Sequence, residues 1–244
     1  MLNNKVAFIT GSTGDLGIEI AKKLIKKKYK LICQIRKTNK KFDKFKSQNK
    51  KDILEIQIFD LLDEKKIHNS MKKLFKKYNK IDSLIINAAT PHGGVFEMTK
   101  ISKIREVFEI NFFSQLLIIQ NLLKLLKRSK NPSIINISSV ISFSSKRGNM
   151  SYGGSKAALN YATKILANEL NNYKIRVNAI APSVLENKMG NLMNEKSKKD
   201  LIDNSFQKKI FKMNDVVELV TFLLSSKSKS INGQILRIDG GMEI

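Results

Sequence analysis

Short apolar runs alternate with longer amphipathic segments along the whole of this chain, and that order leaves few folds open. Residues 5–10, 30–35, 53–59, 82–87, 133–138, 174–181 and 234–238 read as strands; residues 16–28, 64–78, 103–127, 151–172 and 215–225 read as helices. The strands are continuous apolar runs, the pattern of strands buried on both faces. Repeated strand–helix–strand units of this kind build a doubly wound sheet, and its ligands bind beyond the carboxyl ends of the strands. The expected fold is a single-domain, Rossmann-like α/β domain, with about seven parallel strands and helices on both faces. A length of 244 residues suits one such domain with a large core. The polar, lysine-rich stretch after residue 35 is assigned no element.

Composition narrows the class further. No apolar run approaches the ~20 residues needed to cross a bilayer. The longest, residues 116–119, is cut by Gln120 and Asn121. The first strand begins within a few residues of Met1, which leaves no room for a signal peptide. The single cysteine, Cys33, cannot close an internal disulfide and falls in an apolar run. A reducing cytoplasm fits these features and is the expected location, with no membrane partner expected.

The net charge is +24. One explanation is an anionic partner: nucleic acid, a membrane surface or an acidic protein. The other is the base composition of an AT-rich genome. The excess is almost wholly lysine, and asparagine and isoleucine are also abundant. The lysines are spread over every helix, and aromatic residues are only 7%, few for platforms that stack single strands. The second explanation is adopted, and nucleic acid is not expected as a partner.

The turn Thr10-Gly-Ser-Thr-Gly-Asp-Leu-Gly17 joins the first strand to the first helix. Missing Cβ atoms at Gly11, Gly14 and Gly17 let the backbone approach a pyrophosphate, which the helix N-terminus favours. Asp15 is out of place in such a turn. An acid there disfavours the diphosphate unless it turns outward or caps the helix, and a cap is expected, since Asp caps well. At the end of the second strand an NAD site carries an acid for the ribose hydroxyls. Here Ile35 stands at that point, followed by Arg36 and Lys37, two cations suited to a 2′-phosphate. NADPH is therefore expected as cofactor, ahead of NADH.

Tyr152 and Lys156 lie four residues apart in a helical segment, so they share a face. A cation near a phenol favours the phenolate and is expected to lower its pKa from ~10 toward the working range. Ser138 and Ser139 close a strand shortly before. Asn87-Ala-Ala89 closes another, and Asn111 lies in the long helix between them. His92 either lines a substrate pocket or is a polar loop residue, and His68 reads as surface. No cluster has metal-ligand spacing.

Taken in order with the tail Gly233-Gln-Ile-Leu-Arg-Ile-Asp-Gly-Gly241, these residues resemble the classical short-chain dehydrogenase/reductase family. The resemblance spans residues 5–242, and its nearest likenesses are the 3-oxoacyl-carrier-protein reductases. It implies a catalytic set of Asn111, Ser139, Tyr152 and Lys156. Tyr152 would donate the proton, Ser139 would polarise the carbonyl, Lys156 would also hold the nicotinamide ribose, and Asn111 would anchor a relay water. It implies a cofactor site of Gly11, Ser12, Thr13, Gly14, Leu16, Gly17, Arg36, Lys37, Asp60, Leu61, Asn87, Ala88, Ala89, Tyr152, Lys156, Pro182, Ser183 and Leu185. Asp60 would take the adenine amino group, and Ser183 departs from the family's glycine. Residues 184–213 would form a substrate lid. The implied activity is NADPH-dependent reduction of a small-molecule or carrier-bound ketone by a homo-oligomer, a tetramer or dimer. The alternatives are a reductase or dehydrogenase of a small alcohol, a sugar or a glycan precursor, or a non-catalytic nucleotide-binding regulator.

Overall fold

The computed structural model describes residues 5–193 and 195–242. Seven parallel strands form one sheet in the order β3-β2-β1-β4-β5-β6-β7. They are β1 (Val6–Ile9), β2 (Lys30–Ile35), β3 (Ile53–Ile58), β4 (Ser83–Ile86), β5 (Ser133–Ile137), β6 (Arg176–Pro182) and β7 (Ile235–Ile238). The order reverses between β1 and β4, so a crevice opens there at the carboxyl ends of the strands. The doubly wound reading of the sequence is met.

The helices are α1 (Asp15–Lys26), α2 (Lys40–Gln48), α3 (Glu64–Lys77), α4 (Ile101–Phe108), α5 (Ser114–Leu126), α6 (Met150–Glu169), α7 (Lys188–Asn191), α8 (Glu195–Asp203) and α9 (Met213–Leu223). Successive strand residues supply opposite cores. Ala7 and Ile9 pack with α1, α2 and α9, whereas Phe8 packs with α3 and α5. The same division holds at Ile85 against Leu84 and Ile86.

Two differences from the sequence reading bear on the cleft. The lysine-rich stretch after β2 contains α2, which buries Phe42 and Phe45, three residues apart on one face. Its N-cap is Asn39, whose Oδ1 accepts the Phe42 N–H at 2.8 Å. Two apolar residues among four lysines and other polar groups are too faint a stripe to signal a helix. The long helix expected over 103–127 is instead α4 and α5 joined through a π-helical turn, Glu109–Phe113. Such a turn inserts one residue and re-aims the side chains around it, and here it contains Asn111.

Candidate active site

The glycine turn leaves β1 at Thr10 and enters α1 at Asp15. Gly11 is left-handed, with φ +65°, and a Cβ there would lie 2.8 Å from Ala88 Cα. A Cβ at Gly17 would lie 2.5 Å from the Gly11 carbonyl oxygen. Gln34, buried in β2, pins the turn from below. Its Oε1 accepts the Gly11 N–H at 2.9 Å, and its Nε2 donates to the Phe59 carbonyl at 3.0 Å. Buried Thr10 accepts the N–H groups of Asn87 and Ala88, each at 2.9 Å. Sequence reasoning missed Gln34 and Thr10; the signal for Gln34 was a lone polar residue inside an apolar strand.

The expected cofactor residues divide into two sets. Ser12 is buried, its hydroxyl donating to Ile9 O and its N–H to Gln34 O, so it shapes the turn. Asn87 Nδ2 donates to the carbonyls of Thr10 and Gly11, at 3.0 and 3.2 Å. Leu16, Gly17 and Leu61 are buried; Thr13, Asp60 and Ala89 are half-buried at the crevice; Gly14 is exposed. Asp60 Oδ1 accepts the Leu62 N–H at 3.0 Å, closing an Asx turn. Pro182 ends β6, Ser183 donates its N–H to Ile238 O at 2.9 Å, and Leu185 is buried beside Phe211. Ser183 keeps out of the left-handed region, so a serine there carries no strain. Ile35 is packed in the core with Phe42, and the first side chains free of it are exposed Arg36 and Lys37.

No side chain caps α1. The N–H groups of its first turn stay open to an anion, and the turn presents no Cβ at Gly14. A dinucleotide diphosphate fits this donor set. Asp15 turns outward instead of capping: Oδ1 accepts Lys41 Nζ at 2.6 Å, and Oδ2 accepts the Lys188 N–H at 3.1 Å. Burial pushes its carboxyl up, but those two hydrogen bonds outweigh burial and hold it below the usual range.

Ser139, Tyr152 and Lys156 meet beyond the end of β5. Ser139 caps a 3-10 turn, Val140–Phe143, by accepting the Ile141 N–H at 3.3 Å, which leaves its hydroxyl proton for another acceptor. Lys156 is 2% exposed and donates from Nζ to Ile137 O at 2.7 Å. The same Nζ stands 6.0 Å from the centroid of the Tyr152 ring. Tyr152 packs against Val140, Ile141, Val184 and Leu201. Asn111 is fully buried and committed. Its Oδ1 accepts the Thr90 N–H at 2.8 Å, and its Nδ2 donates to Thr90 O and to Ser155 Oγ, both at 3.0 Å. His92 Nδ1 pairs with Ser151 Oγ at 2.7 Å, so it ties the loop after β4 to the start of α6.

Burial dominates the electrostatics of this cluster. It pushes the Tyr152 phenol up to about 12, and the Ser139 hydroxyl offsets only part of that. It pushes Lys156 down to about 7. The expected lowering of the Tyr152 pKa is therefore not met. Lys156 is itself partly neutral near pH 7, and its hydrogen bond goes to Ile137 O. What results is a phenol that keeps its proton throughout the neutral range.

The sheet order, the glycine turn and the chemistry gathered beyond β5 define the class. The sequence profile of the short chain dehydrogenase family matches residues 5–198; the chain belongs to that family and is an oxidoreductase. It is similar to the 3-oxoacyl-(acyl-carrier-protein) reductase FabG of Buchnera aphidicola, with 29% identity over 99% of this chain and 98% of the relative. The FabG of Rickettsia felis is 30% identical over 99% of this chain and 98% of its own. Among solved structures, ElxO with NADP bound shares the fold, with a TM-score of 0.86, 24% identity and coverage of 97% of this chain and 98% of that one. Among the described residues, no helix is long and apolar enough to cross a membrane, and no group of His, Cys, Asp and Glu could hold a metal ion.

Proposed function

We propose that the protein reduces a ketone to a secondary alcohol with NADPH, and that the ketone is a 3-oxoacyl thioester on a carrier protein. The observation that carries the reaction type is the convergence of Ser139, protonated Tyr152 and Lys156 beyond β5. The FabG relatives support the substrate class.

When bound, the dinucleotide supplies the hydride. The N–H groups at the start of α1, with Thr13 and Gly14, would hold its diphosphate; Arg36 and Lys37 would hold the 2′-phosphate. Asp60, Ala89, Pro182, Ser183 and Leu185 would border its bases and riboses. Ser12, Asn87 and Ala88 keep the turn in shape for that contact. Ser139 donates a hydrogen bond to the substrate carbonyl and polarises it. Tyr152 gives its phenolic proton to that oxygen as the alcohol forms. The phenolate left behind sits beside Lys156, whose ammonium stabilises it and can return a proton. Asn111 acts through position: its amide holds Thr90 and Ser155, fixing the loop after β4 against α6.

This reading includes two settings for the enzyme. The lone thiol, Cys33, is pushed up to about 12 by burial and is inert, which fits a reducing cytoplasm. Phe113, at the end of the π turn before α5, and Tyr161 and Ile165 on α6 are exposed, and a second copy is the partner we assign to that face.

One panel tests the activity: NADPH oxidation with a 3-oxoacyl carrier thioester, a free thioester, a diketone and a keto-sugar. Reduction of the carrier thioester at least as fast as its free mimic is expected. A preference for the sugar would overturn the substrate class, and no turnover with any member would overturn the reductase reading.

A further inference from the structure

The segment between β6 and α9 touches both ends of the cleft. At one end Val184, Leu201 and Met193 pack with Val140, Ile141 and Tyr152. At the other end a carboxylate at the start of α1, Asp15, ties to it. That side chain is 14% exposed and bridges two elements: Lys41 Nζ of α2 at 2.6 Å and the Lys188 N–H at the start of α7 at 3.1 Å. A cavity of about 390 Å³ lies among them, lined by Lys41, Lys188 and Lys198 as well as Asp15 and Glu186.

An acid at the first residue of α1 stands next to the place where an anion is favoured, so its bare charge opposes that anion. Here the charge is taken up before an anion arrives. Lys41 pairs with one oxygen, and the second oxygen is occupied by a backbone N–H. Three lysines against two carboxylates around the cavity leave the local field positive. The same pairing fixes the first turn of α7, and through the chain that follows it the residues seated on Tyr152.

We propose that Asp15 is a positioning residue that ties residues 184–213 to the glycine turn, so that one carboxylate sets both the seating of this segment over Tyr152 and the residence time of the dinucleotide. The residence-time half rests on the reading of the crevice as a dinucleotide site. Asp15 does not touch the reacting atoms. It acts through α7, which it holds against the end of α1, closing the route past the diphosphate. A glycine at this position would leave the Lys188 N–H and Lys41 without that partner, and the segment would keep only contacts remote from α1, such as Lys146 with Asp200 and the Ser205 hydroxyl with Asp239 O.

Hydrogen exchange on the protein without cofactor reads the tie directly. In Asp15→Ala the amides of Lys188–Asn191 should exchange about tenfold faster or more, the change expected when a charge-assisted hydrogen bond is lost. Asp15→Asn keeps an acceptor for the Lys188 N–H but loses the ion pair, so its effect should be smaller. NADPH dissociation, followed by stopped-flow fluorescence, should quicken in the same order, with KM for the ketone rising more than kcat falls. Unchanged exchange at Lys188–Asn191 in Asp15→Ala, with normal dinucleotide binding, would overturn the tie alone. Failure of the unaltered protein to bind either dinucleotide would overturn the function proposed above together with the residence-time half.

Discussion

The Lys156 ammonium nitrogen donates to the main-chain oxygen of Ile137 across 2.7 Å. That bond fastens α6 to the end of β5 at the point where Ser139 and Tyr152 come together. It also leaves Lys156 2% exposed with no carboxylate beside it, which is why burial lowers its pKa to about 7.

Stability should therefore depend on pH through Lys156. An unfolded lysine titrates near ~10.4. Between about 7 and that value the unfolded chain binds more protons at this site than the fold does. Stability then rises with pH across the window, by no more than ~1.4 kcal/mol per pH unit. Tyr152, raised to about 12, acts with the opposite sign, but only above about 10, where an unfolded tyrosine ionises. Urea titrations of the unaltered protein and Lys156→Met at several pH values from 7 to 9.5 measure this. The slope should be shallower in Lys156→Met, and identical slopes would show that Lys156 is charged in the fold.

Tyr152→Phe keeps the ring and its packing against Val140 and Leu201 but removes the proton donor. Turnover should fall by about a hundredfold or more, the scale of general acid catalysis, while the dissociation constant for NADPH changes little. Lys156→Ala should damage both. Wild-type turnover in Tyr152→Phe would remove Tyr152 from the chemistry.

Arg36 is the first exposed side chain after Ile35 closes β2. The protein should bind NADPH about ten- to a hundredfold more tightly than NADH, and Arg36→Ala should lose much of that preference, as a charge-assisted phosphate contact is lost. Fluorescence titrations at physiological salt give both constants. Equal affinities in the unaltered protein would rule out a 2′-phosphate site at Arg36 and Lys37.

Gln34 links the glycine turn to the residue just after β3, accepting from Gly11 and donating to Phe59 O. Gln34→Leu leaves the half-buried Gly11 N–H and the buried Phe59 carbonyl without their partner, at about 1–3 kcal/mol for a fully buried unsatisfied group. A drop in Tm of several degrees is expected, together with weaker NADPH binding, because Gly11 loses its anchor. A variant with unchanged Tm would mean that water replaces the side chain.

Phe113, just before α5, and Tyr161 on α6 are 52% and 70% exposed. A dimer or tetramer is expected by light scattering at micromolar concentration, and Tyr161→Glu with Phe113→Glu should shift it toward monomer. A monomeric unaltered protein would contradict the assignment of this face.

Much of the fold and part of the site were legible along the chain. Unbroken apolar runs could only be strands buried on both faces, and their alternation with helices set the winding. The glycine turn was legible because Gly11 and Gly17 are required by close contacts with Ala88 and with the turn's own backbone. Tyr152 and Lys156 were legible because helical spacing alone puts them on one face. Other features depended on contacts between residues far apart in sequence. Helix α2 is held by Phe42 and Phe45 burying against β2, a gain that two aromatics among lysines do not announce. The π turn at Asn111 exists where its side chain must reach Thr90 and Ser155 at once, and no local propensity encodes that. For Asp15 the sequence favoured a helix cap, and the side chain turns outward instead. Only the arrival of Lys41 and Lys188 from distant segments decided that. The proton state of the cleft followed the same rule: the spacing of Tyr152 and Lys156 predicted attraction, but the depth at which the fold buries them made desolvation the larger effect.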